Sequence, residues 1–98
     1  MSTVEIRQTE EYEAWFGRLR DREARFRIVA RIRRLSLGNL GDIKSLGEGV
    51  FELRITHGPG YRIYLSRQSE TLVVLLAGGD KSSQRRDIER AKNLARRL

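Results

Sequence analysis

Gly49–Leu65, GVFELRITHGPGYRIYL, is the stretch on which the fold turns. Its apolar positions alternate, so Phe51, Leu53 and Ile55 share one side of an extended chain and leave Glu52 and Arg54 on the other. His57-Gly58-Pro59-Gly60 has the composition of a tight turn. Beyond it Tyr61, Ile63 and Leu65 return to the first side, and Arg62, Tyr64 and Ser66 face away. The stretch reads as a β-hairpin with one apolar and one polar face. That polar face sets Arg54 beside Arg62 with a tyrosine hydroxyl nearby, an arrangement suited to a bound phosphate.

Working outward, Thr71–Ala77 (TLVVLLA) is a short continuous apolar run rich in branched side chains, as expected of a strand buried on both faces. Gly78-Gly79 ends it, and Asp80-Lys81-Ser82-Ser83 leads into a last helix with Ile88, Ala91, Ala95 and Leu98 on its apolar side. Upstream, Val4–Arg7 alternates like a short strand. Thr9 then stands as an N-cap before Tyr12, Trp15, Phe16 and Leu19, which fall at helical spacing. Asp21 is a second N-cap candidate, opening a longer helix marked by Ala24, Ile28, Val29, Ile32 and Leu35 that stops near Gly38-Asn39. Gly38–Gly49 holds four glycines and reads as a loop with Ile43 and Leu46 tucked beneath it. The expected order is β-α-α-β-β-β-α, an α+β fold with a helical hairpin packed on a small, twisted, mainly antiparallel sheet. One domain over residues 1–98 is expected.

The chain has 98 residues, no cysteine and a formal net charge of +7. Without cysteine there is no disulfide or thiolate chemistry, which fits a reducing compartment. No run is long and apolar enough to span a bilayer, and MSTVEIRQTEE has no apolar leader segment, so the expected location is the cytoplasm. Of twenty basic residues seventeen are arginine, whose planar fork suits bidentate phosphate contacts. The excess is uneven: residues 1–49 carry ten basic and eight acidic groups, residues 50–98 ten and five. A polyanion partner, nucleic acid above all, is expected on the C-terminal half. The arginines from Arg18 to Arg34 form either a solvated face or an RNA footprint.

Within this frame Arg54 and Arg62 are the leading site residues, able to clamp one phosphate and stabilise charge developing on it. Arg54 can instead pair with Glu52 or with another acid across strands. Tyr64 can donate a proton to a leaving oxygen or stack on a base. Lys81, where a buried strand gives way to a helix, can neutralise a phosphate or abstract a proton, while Asp80 reads first as a cap. His57 is the sole histidine, so its imidazole is a general acid–base candidate without the second ligand a zinc site needs. Arg85, with its neighbours on the last helix, can track a nucleic-acid backbone. No Walker motif is present, and the GEG and GPG triplets read as turns.

Glu52-Leu53-Arg54, Gly58-Pro59-Gly60-Tyr61-Arg62 and Gly79-Asp80-Lys81-Ser82 ahead of Asp87-Ile88 resemble the RelE/ParE toxin superfamily, in particular its HigB-like, phage Gp49-like branch. The likeness runs over essentially the whole chain. It implies the toxin of a type II toxin–antitoxin module, partnered by a small helix-turn-helix antitoxin. Ribonuclease members cut messenger RNA at the ribosome without a metal or other cofactor. The substrate's 2′-hydroxyl attacks the adjacent phosphate and leaves a 2′,3′-cyclic phosphate and a 5′-hydroxyl. On that resemblance Arg54, Arg62, Lys81, Tyr64 and Glu52 are the catalytic set, and His57, Tyr61, Asp80 and Arg85 the substrate-binding set. The chain departs from the pattern in having Glu52 and Arg54 where ribonuclease members often carry lysines, and in having no Tyr or His after Tyr64. Glu52, His57, Asp80 and Lys81 are all open as the base. The same superfamily implies two alternatives, a ParE-like poison of DNA gyrase and a degenerate module that only binds antitoxin.

Overall fold

The structure is a computed structural model describing residues 3–98; the first two residues of the N-terminal stretch read above for a leader lie outside it. In chain order the elements are β1 (Glu5–Gln8), α1 (Glu10–Arg18), α2 (Arg22–Ser36), β2 (Ile43–Gly47), β3 (Val50–Ile55), β4 (Tyr61–Ser69), β5 (Leu72–Gly79), a short 3-10 turn (Lys81–Ser83) and α3 (Gln84–Arg96). One five-stranded sheet runs in the order β1-β5-β4-β3-β2, antiparallel throughout except that β1 lies parallel to β5. The α+β architecture expected from the sequence is the one observed. No helix among the described residues is long and apolar enough to cross a membrane.

Both expected N-caps are in place. Thr9 accepts the Tyr12 amide and Asp21 accepts the Ala24 amide, each satisfying an amide that the first helical turn leaves without a partner. Two of the hairpin's arginines act as struts. Arg25 donates to the carbonyls of Phe16 and Leu19 at the end of α1 and lies 4.3 Å from the Phe16 ring centroid, and Arg31 donates to the carbonyls of Arg54 and Asp42.

The sheet has a core on each face. Against the hairpin, Tyr12, Ile28 and Leu35 meet Leu53, Ile55, Ile63, Leu65, Val73 and Leu75, with Phe51 and Tyr61 half-buried at the margin. On the other face Val50, Tyr64, Val74 and Leu76 meet Ala91, flanked by Ile88, Leu94 and Ala95 of α3. The sheet is thus the middle of three layers. The hairpin face read as polar is in fact roofed by α3, which encloses Glu52, Arg62 and Tyr64 and leaves Arg54 part-exposed.

Three further expectations are corrected. The loop read over Gly38–Gly49 contains edge strand β2, paired to β3 through Ile43↔Leu53, Lys44↔Glu52 and Ser45↔Phe51. Strand β5 runs through Gly78 and Gly79 instead of ending before them. Val29 and Leu98, placed in the core by helical spacing, are exposed, while Leu94 takes the packing position on α3.

Candidate functional site

The β3–β4 register sets Arg54 directly opposite Arg62, and Glu52 opposite Tyr64. All four side chains project toward α3. At their centre is Glu52, fully buried, whose carboxylate accepts two hydrogen bonds and faces a second guanidinium. Its Oε1 accepts from Arg54 Nε at 2.9 Å; its Oε2 accepts from Gln84 Nε2 at 2.8 Å and lies 3.7 Å from Arg62 Nε. The alternative pairing of Arg54 with Glu52 is therefore realised, yet the same carboxylate also orients Arg62. An isolated buried carboxylate would be expensive, and two guanidiniums and an amide offset that cost.

The two arginines differ in access. Arg62 is 8% exposed, and its Nη1 donates to the Gly60 carbonyl at 2.6 Å. Its buried Nε has no hydrogen-bond partner. The Arg54 side chain is 41% exposed, so it is the member of the cluster that reaches solvent. The hydrogen bond and charge of Glu52 hold the Arg54 guanidinium above its ordinary pKa. Tyr64 is fully buried, and its hydroxyl is the other buried polar group without a partner. Burial first, then the Glu52 and Asp87 carboxylates, push its pKa well above that of an ordinary phenol, with Arg62 and Arg54 acting in the opposite direction.

Lys81 enters from the start of the 3-10 turn. Its amide donates to the Pro59 carbonyl at 3.4 Å, tying that turn to the β3–β4 turn. Both meet at Gly60 (φ 78°), where an added Cβ would lie 3.1 Å from Arg62 Nη1 and 3.6 Å from Lys81 Cβ. Lys81 is exposed and has no ion-pair partner among the described residues. Arg54, Arg62 and Lys81 thus flank one rim, where the sheet, the β3–β4 turn and the N-terminal end of α3 converge.

The remaining candidates are placed elsewhere or otherwise engaged. Asp80 accepts from the Ser82 amide and hydroxyl, which, with the Ser83 amide and Arg62, hold its carboxyl below the usual range; it is a cap. His57 Nε2 lies 3.1 Å from Asp21 Oδ2, the same carboxylate that caps α2. Tyr61 packs edge-on to Trp15 on the hairpin side of the sheet, away from Arg54 and Arg62. Arg85 is exposed on α3 beside a shallow depression shared with Ser82 and Arg86. Gln84 was not singled out from the sequence, although it is the helical residue that holds Glu52. Its only sequence signal is its place at the first turn of a helix capped across Asp80–Ser83.

A second depression, a cleft of about 510 Å³, opens between α1 and α3 past the end of β1. Trp15, Arg18, Arg86 and Arg90 stand over a floor of Gly78 and Gly79. Asp80 and Asp87 line it as well, so its charges of both signs are mixed.

Comparison with known proteins decides the family. The model of the family described as phage derived protein Gp49-like (DUF891) matches residues 14–98. The chain belongs to that family. An uncharacterised Haemophilus influenzae protein is 51% identical over 96 residues, covering 98% of this chain and 97% of its own. Among solved structures, the RelBE2 toxin–antitoxin complex of Mycobacterium tuberculosis contains a similar chain. It matches with a TM-score of 0.53 and 21% identity, over 84% of this chain and 95% of that one. The Gp49-like chain accordingly shares the fold of a chain of that toxin–antitoxin complex, the kind of fold the sequence resemblance implied.

Proposed function

We propose that this Gp49-like chain is the toxin of a type II toxin–antitoxin module, a cytoplasmic endoribonuclease that cuts messenger RNA at the ribosome and is held in check by a helix-turn-helix antitoxin. The observation carrying this reading is the Arg54↔Arg62 pair with Lys81 at its rim. Three basic side chains along one rim match a phosphate that gains negative charge during transfer. In the reaction the substrate's 2′-oxygen bonds to phosphorus as the bond to the 5′-oxygen breaks. One proton leaves the 2′-hydroxyl and another reaches the departing oxygen.

The protein groups divide by protonation. Arg54 and Arg62 stay charged and stabilise the phosphorane; neither serves as a base. Burial keeps the Tyr64 hydroxyl protonated but also makes it a weaker acid than an ordinary phenol. With no part of the side chain exposed, its use as a proton donor requires the layer beneath α3 to open. Glu52 positions the arginines. It is fully buried and already accepts from Arg54 and Gln84, with Arg62 Nε 3.7 Å away, so it is assigned to orienting the arginines and not to proton transfer. Lys81 is left as the exposed candidate for phosphate contact or proton abstraction.

A second reading, poisoning of DNA gyrase without hydrolysis, is favoured by one observation. Glu52, His57 and Asp80 are each committed to structural bonds, so free acid–base groups are scarce. The two readings separate with purified components. On ribosomes programmed with an end-labelled message, nuclease action yields 5′-hydroxyl and 2′,3′-cyclic phosphate ends, and Arg54→Ala lowers the rate by about a hundredfold or more. Uncut message together with inhibited supercoiling by gyrase would reverse the assignment.

A further inference from the structure

Helix α2 turns one line of side chains directly away from the core. Ala24, Ile28 and Leu35 are buried against the sheet; positions 22, 26, 29, 33 and 37 lie in line on the opposite side. These are Arg22, Phe26, Val29, Arg33 and, at the C-cap, Leu37. Phe26 is 72% exposed, Val29 55% and Leu37 52%. Leu98 is the one other large apolar side chain so exposed among the described residues. Scattered exposed apolar residues are ordinary, whereas three in line along about 16 Å of one helix form a strip. A groove of about 410 Å³ runs along its flank, where Phe26 and Ala30 face Ile55 and Thr56.

Charge selects what covers the strip. Arg22, Arg33 and Arg34 have no ion-pair partner among the described residues, and Glu23 is already paired with Arg27. A second copy of the chain would set these arginines against themselves. Nucleic acid would engage the guanidiniums but gain nothing from Phe26, Val29 and Leu37. A helix with an apolar seam and acidic shoulders satisfies both features at once. We propose that the outward line of α2 is a docking strip for an acidic amphipathic helix of a partner protein. The sheet separates this strip from the Glu52–Arg62 cluster beneath α3, so the docked helix leaves Arg54 and Lys81 uncovered. The proposal is independent of the nuclease reading.

The test is an NMR titration of the isotope-labelled full chain with three probes. The first is a synthetic helix with leucine at its a and d positions and glutamate beside them; the second replaces glutamate with lysine; the third is a short RNA hairpin. The acidic helix should shift the amides of Phe26, Val29 and Leu37, and the lysine helix should not bind. The Phe26→Ser/Val29→Ser double variant should bind the acidic helix at least about tenfold more weakly, with its melting temperature unchanged because both side chains are exposed. Perturbation of those amides by the RNA alone would overturn the proposal in favour of a nucleic-acid footprint. Absence of binding by the acidic helix, or equal binding to the double variant, would overturn it outright.

Discussion

Glu52 is the residue on which the candidate site is assembled. A buried carboxylate that holds two guanidiniums and an amide contributes little net stability as a unit, but removing it strands its partners. Glu52→Ala should therefore lower unfolding stability by about 3 kcal/mol in chemical denaturation, whereas Arg54→Ala, at the exposed end of the cluster, should cost far less. Tyr64 gives the sharper contrast, because its hydroxyl is buried and unpartnered. Tyr64→Phe should raise stability by about 1 kcal/mol, since an unsatisfied group is removed at constant shape. If that hydroxyl protonates the leaving oxygen, the same variant should cut messages about a hundredfold more slowly. A variant both more stable and fully active would remove Tyr64 from the mechanism. Arg54, Arg62 and Tyr64 were legible in the sequence as neighbours on one face, because strand alternation and a short turn determine which side chains share a side. The burial of Arg62 and Tyr64 was not, since it depends on Ile88, Ala91, Leu94 and Ala95 arriving from the far end of the chain.

At the scale of elements, the end of β5 is where both layers press closest. A Cβ at Gly78 would collide with the Trp15 ring of α1, and one at Gly79 with the Asp87 carboxylate of α3. These adjacent glycines admit a helix to each face of the strand, and β5 continues through them because they pair with Ile63 and Arg62 of β4. Gly78→Ala and Gly79→Ala should each destabilise by about 1–3 kcal/mol through overpacking, measurable as a lower denaturant midpoint with an unchanged slope. The missed strand has a similar origin. Ile43–Gly47 is short, half-exposed and set among glycines, and its extended form is secured by pairing with β3 at the sheet edge. Both helix caps, by contrast, were readable, because Thr9 and Asp21 act within three residues of themselves. The exposure of Val29 shows where helical spacing failed. It stands on the outward line with Phe26, and the width of the buried stripe is decided by the sheet beneath.

The whole molecule should lose stability at both ends of the pH scale, for opposite reasons. Buried Tyr12 and Tyr64 have phenols raised above their unfolded values, near pH 10. Their contribution is complete below that pH and is lost as pH rises toward the folded values. Asp21 and Asp80 have lowered carboxyls, so their contribution is present above about pH 4 and is lost as pH falls through the folded values. Urea midpoints from pH 3 to 11 should form a plateau with both arms descending, and Tyr64→Phe should flatten only the alkaline arm. The net charge of +7 adds a second global expectation, that affinity for RNA or ribosomes falls steeply between low and physiological salt. The central claim, that the arginine pair serves RNA cleavage, is tested most directly by mapping RNA 5′ ends in cells after brief induction of the wild type and of Arg54→Ala. New 5′-hydroxyl ends in codon register, present with the wild type and absent with a folded Arg54→Ala protein, are the predicted result. Growth arrest with no new ends, accompanied by double-strand DNA breaks, would contradict it.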